Sequence, residues 1–109
     1  MPKKQHPTTP EDLNALPLVD EPEDRQFVLQ VGTHRARMEY ERNGDRIFLT
    51  HIDVPAWLED LGTTAVLTEK VLQWIEEHRL KLVPYCPYVK AYLRRHPAWQ
   101  RLLLKGVNL

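Results

Sequence analysis

From residue 26 onward, apolar side chains recur at every second position. Phe27, Leu29 and Val31 come first, then Ala36, Met38 and Tyr40, then Ile47 and Leu49. A period of two belongs to a half-buried strand. Gly32-Thr33 offers a turn between the first two runs, and Asn43-Gly44 is the two-residue hairpin signal between the second and third. Three antiparallel strands follow. The third runs to about Val54, where Pro55 has no amide hydrogen to give to a ladder. The period then changes: Leu67, Val71, Trp74, Ile75 and His78 share one helical face, which predicts an amphipathic helix over 63–79. Residues 80–85 are short and apolar enough for a buried fourth strand, and the order strand, helix, strand implies a parallel neighbour reached by a right-handed crossover. Cys86 then takes the N-cap and Pro87 the first position of a second helix, with Tyr88, Val89, Tyr92 and Leu93 inward and Arg94 and Arg95 at its negative end. Pro97 interrupts that helix, and Trp99, Leu102 and Leu103 suggest a short final one. The pattern describes one α/β (α+β) domain with a mixed, mostly antiparallel sheet flanked by helices.

Composition changes this picture at the N-terminus. Five prolines fall within residues 1–24, and Lys3 and Lys4 stand there against six carboxylates. So little apolar surface among so many prolines predicts a flexible acidic tail, with the folded domain over 25–109. A chain of 109 residues has room for one core. Net charge is zero, yet from His78 onward there are seven Lys or Arg and no acidic side chain, an excess able to attract phosphates. Overall neutrality and the lack of a known motif give nucleic-acid binding little support. No run approaches a membrane helix and residues 1–10 lack the apolar stretch of a secretory signal, so the expected location is the cytoplasm. With Cys86 alone, neither an internal disulfide nor a Cys-rich metal site can form, and the histidines have no ligand spacing.

The candidate chemistry lies in an ordered series. Thr50-His51-Ile52-Asp53-Val54-Pro55 ends the third strand, Gly62 opens a helix, and Cys86-Pro87-Tyr88-Val89 leads through Tyr92 to His96-Pro97. This series resembles the short, single-domain branch of the GNAT N-acetyltransferases, whose members show a Thr-His-x-x-Val-Pro strand end and a Cys-Pro-aromatic-Val segment ending in His-Pro. The resemblance covers roughly 27–99. It implies a GNAT-like sheet with a splayed parallel strand pair, and acetyl-CoA as co-substrate with an amine as acceptor. The pantetheine arm would pair with the backbone of Ile52, Asp53 and Val54. The diphosphate would sit on the amides of Gly62, Thr63 and Thr64, where a helix start attracts anions. A tyrosine after the Cys-Pro segment commonly protonates the departing thiolate in such enzymes, and Tyr92 is the preferred candidate over Tyr88.

Three features of this chain leave the reading open. Relatives carry Arg/Gln-x-x-Gly-x-Gly/Ala in the diphosphate loop, whereas this chain reads Glu59-Asp60-Leu61-Gly62-Thr63-Thr64. Like charges about 6 Å apart at an effective dielectric near 20 repel by about 3 kcal/mol before salt screening. The same carboxylates would equally stabilise a helix start. Cys86 also has two readings: an N-cap thiolate able to carry the acetyl group, or a small buried hydrophobe. His51 is either a base for the amine or for Cys86, or a packed histidine. The functional expectation is therefore acetyl transfer to a small-molecule or protein amine, directly or through Cys86. The alternative is a non-catalytic GNAT-fold module for ligand or protein binding, with a degenerate CoA loop.

Overall fold

Alternation places Phe27, Leu29, Ala36, Met38, Ile47 and Leu49 on one face of a sheet, and all six are fully buried there. The computed structural model describes residues 13–109. Its sheet has five strands in chain order: β1 (Leu18–Glu21), β2 (Gln26–Val31), β3 (His34–Asn43), β4 (Arg46–Asp53) and β5 (Lys81–Pro84). The first four are antiparallel neighbours, and β5 runs parallel to β4. Between β4 and β5 come a four-residue helix, α1 (Ala56–Glu59), and the long helix α2 (Thr63–Glu77). After β5 come α3 (Pro87–Arg95) and a 3-10 helix, Pro97–Leu102. The GNAT-like mixed sheet with a parallel pair and flanking helices is thus the fold. No helix among the described residues is long and apolar enough to cross a membrane.

α2 lies against β1, β2 and β3, bringing Leu67, Val71, Leu72 and Ile75 onto the apolar sheet face. The opposite face carries a polar network beside Val19 and Val28. Arg35 and Gln26 both donate to Glu21, at 2.8 and 2.7 Å, and Arg37 donates to Gln26, Glu39 and Asp53. This network spans four strands.

Three elements differ from the sequence expectation. The segment expected as a flexible tail contains β1, which pairs with β2 from Leu18↔Leu29 to Glu21↔Gln26, and Leu13, which is fully buried. Pro17 and Pro22 bracket this strand instead of interrupting it, as an edge strand allows. Residues 1–12 of that segment lie outside the described residues. α1 had no counterpart in the periodicity because a single turn carries no readable period. The long helix stops at Glu77 instead of Arg79. Arg79 takes a left-handed φ of 58°, its amide donates to the carbonyl of Glu76, and that of Leu80 donates to Ile75. This is a Schellman end with arginine where glycine is preferred. Replacing Arg79 by Gly should therefore stabilise the fold by about 0.5–1 kcal/mol. A melting temperature raised by roughly 2–6 °C is the expected result, and an unchanged or lower one refutes it.

Candidate functional site

The site begins with a bulge. Glu39 pairs with His51 and Tyr40 with Leu49, so Thr50 is an extra residue in β4, its hydroxyl donating to the carbonyl of Glu39 at 3.2 Å. A bulge bends the strand and shifts alternation by one. Leu49 is buried, His51 exposed, and Ile52 and Val54 half-buried. At the same level β5 leaves the sheet. Its register with β4 ends at Leu49↔Pro84, and the amides of Tyr85 and Cys86 both donate to the carbonyl of Leu49, at 2.9 and 3.0 Å. Pro87 then starts α3, where its lack of an amide hydrogen costs nothing. Beyond Leu49, β4 has β3 on one side and no strand on the other among the described residues.

A cavity of about 300 Å³ lies between the starts of α2 and α3, lined by Glu59, Gly62, Thr64, Ala65 and Tyr88. Gly62 caps α2 with φ 86°, a left-handed conformation that favours glycine, and it brings no side-chain acceptor. The first-turn amides of Thr63, Thr64 and Ala65 are consequently free of any side-chain cap, whereas the amide of Gly62 itself donates to Glu59 at 2.9 Å. The hydroxyls of Thr63 and Thr64 are buried without hydrogen-bond partners. Orphan donors at the positive end of a fifteen-residue helix fit an anionic group such as a diphosphate. Of the two acidic residues in this loop, Glu59 lines the cavity and Asp60 does not.

The residues singled out from sequence fall in different surroundings. Gly62 and Thr64 line the cavity, and Thr63 lies buried between them. Ile52 and Asp53 pair with Met38 and Arg37 through β3, and the Asp53 carboxylate accepts from Arg37 at 2.9 Å as part of the polar network. Cys86 is the N-cap of α3 but is only 3% exposed, belongs to the core and makes no side-chain capping bond. No hydrogen bond joins it to His51 among the described residues. Tyr92 is buried, and its hydroxyl donates to Glu69, which also accepts from the Trp99 indole at 3.2 Å. Burial first, and the Glu69 bond second, push the Tyr92 phenol well above the usual tyrosine range. Tyr88 is the tyrosine that lines the cavity, and burial raises its pKa too. Ala65 escaped the sequence reading. Its signal was available, because a glycine N-cap leaves three successive amides open and Ala65 carries the third.

The family described as GCN5-related N-acetyl-transferase matches residues 26–102, from the first residue of β2 to the last of the 3-10 helix. The chain belongs to that family. A search of the curated proteins finds no match.

Proposed function

We propose that the chain is an acetyl-CoA-dependent N-acetyltransferase for a small-molecule or protein amine, working by direct attack of the amine on the thioester. Two observations support this reading: beyond Leu49 one edge of β4 has no strand partner among the described residues, and a cavity lies at the uncapped start of α2, the helix that follows β4 and α1. The amides of Thr63, Thr64 and Ala65 would hold the diphosphate, and the edge of β4 at 51–54 the amide groups of the pantetheine arm. Acetyl-CoA supplies the activated acyl group.

His51, exposed where the strands part, is the candidate to take the amine's proton. Tyr88, protonated beyond the ordinary tyrosine range, is the better-placed donor to a departing thiolate, since Tyr92 has its hydroxyl on Glu69. Burial of Cys86 favours direct transfer over a covalent route through its sulfur. A polar depression of about 190 Å³ beside Thr50 is lined by Asp24, Glu39 and Glu41 as well as Arg25, a setting suited to a cationic amine.

One observation favours a second reading, a non-catalytic binding module of the same fold: Glu59 puts a carboxylate on the cavity wall. Calorimetric titration of the full chain with acetyl-CoA separates the two. Binding is expected, and Glu59→Gln should tighten it by roughly threefold to tenfold at low salt, a gain that shrinks at high salt. If neither the wild type nor Glu59→Gln binds acetyl-CoA at millimolar concentration, the transferase reading fails and the binding-module reading stands.

A further inference from the structure

We propose that Thr64 is a ligand-binding residue of this cleft, its hydroxyl donating a hydrogen bond to a diphosphate oxygen of the bound nucleotide. The proposal rests on the cofactor reading above and adds a side chain that the family's loop pattern does not contain, since relatives have Gly or Ala at this position. Thr64 lines the cavity, and its hydroxyl is buried without a partner.

That state has a local cause. A threonine inside a helix usually returns its hydroxyl to the carbonyl four residues back, as Thr68 does to Thr64 at 2.9 Å. Four residues before Thr64 is Asp60, which precedes Gly62 and lies outside α2. Thr63 is in the same position, since Glu59, four residues before it, also precedes α2, and its hydroxyl likewise has no partner. A buried hydroxyl in this state lacks a bond that an acceptor in the cavity would supply. Threonine in a helix populates two χ1 wells, so one rotation exchanges the methyl and the hydroxyl toward the cavity. The added donor also acts against the unfavourable charge of Glu59 on the same wall.

The competing view is that a branched side chain merely crowds the phosphates, and the two views predict opposite signs. The Kd of CoA and of pantetheine, which lacks the diphosphate, is measured by calorimetry for wild type, Thr64→Ala, Thr64→Val and Thr64→Ser, with a melting curve for each. The proposal expects Ala and Val to weaken CoA binding by roughly fivefold to twentyfold, the worth of one hydrogen bond to a charged acceptor. Ser should stay within about twofold because it keeps the hydroxyl, and pantetheine should bind all four alike. Equal or tighter binding of CoA by a folded Thr64→Ala overturns the donor role while leaving the cofactor reading intact. A wild type that binds neither CoA nor pantetheine overturns the cofactor reading itself, and Thr64 loses its ligand with it.

Discussion

A chain beginning at Arg25 should lose most of its stability. It would lack β1, leaving β2 as a bare edge, and it would lack Leu13, which is fully buried in the core. Burying one leucine side chain contributes about 2–3 kcal/mol. The truncation also removes Asp20, whose carboxylate accepts from the Tyr40 hydroxyl at 2.7 Å, and the carbonyl of Asn14, which accepts from Lys70 at 2.7 Å. The Tyr40 hydroxyl would lose its acceptor, at a further cost of about 1 kcal/mol or more. For a domain this size, 3–4 kcal/mol corresponds to a melting temperature lower by at least about 15 °C, measured by circular dichroism. Leu13→Ala in the full chain should reproduce about 2–4 kcal/mol of the loss. A truncated chain that melts within about 5 °C of the full one would show that β1 and Leu13 add nothing to the core.

This result separates what sequence pattern conveys from what it does not. β2, β3 and β4 were legible because their apolar face repeats at period two over six residues or more and the hairpin signals fall between them. β1 has four residues between two prolines in an acidic stretch, which by composition is indistinguishable from an unstructured segment. Only its pairing with β2 gives it an identity.

The site was legible in the same uneven way. Gly62, Thr63 and Thr64 could be placed at a helix start, because an N-cap glycine followed by a helical period is a local signal. The bulge at Thr50 is not local, since it exists only in the register between β3 and β4. It decides that His51 is exposed and Ile52 half-buried, the reverse of an unbroken alternation from Leu49. For the tyrosines, helical spacing put Tyr88 and Tyr92 on one face but could not tell which reaches the cavity. That depends on Glu69, one helix away, which holds Tyr92.

Glu69 should accordingly be among the most costly polar residues to remove. Its carboxylate oxygen accepts from both Tyr92 and Trp99, tying α2 to α3 and to the 3-10 helix. Glu69→Ala leaves a buried phenol and an indole N–H without an acceptor, at about 2–4 kcal/mol, or a melting temperature lower by roughly 10–20 °C. Glu69→Gln keeps one acceptor oxygen and should recover at least half of that loss. The same contact sets an alkaline limit. Tyr92 and Tyr40 both have folded-state pKa values raised above the ordinary value, by burial first and by their carboxylate partners Glu69 and Asp20 second. Below pH 10 both phenols are neutral in the folded and unfolded chains, so their contribution is whole. Above pH 10 the unfolded chain ionises first, and stability falls by up to roughly 1.4 kcal/mol per pH unit for each group. Urea denaturation at pH 8 to 11.5 should therefore show a steepening loss above pH 10. Tyr92→Phe, less stable at pH 8 because Glu69 loses a donor, should show a shallower alkaline loss since one of the linked phenols, which also include Tyr40 and Tyr88, is gone. An alkaline slope identical in Tyr92→Phe and wild type would mean that Tyr92 ionises alike in the folded and unfolded chains, and that its bond to Glu69 does not hold the phenol protonated.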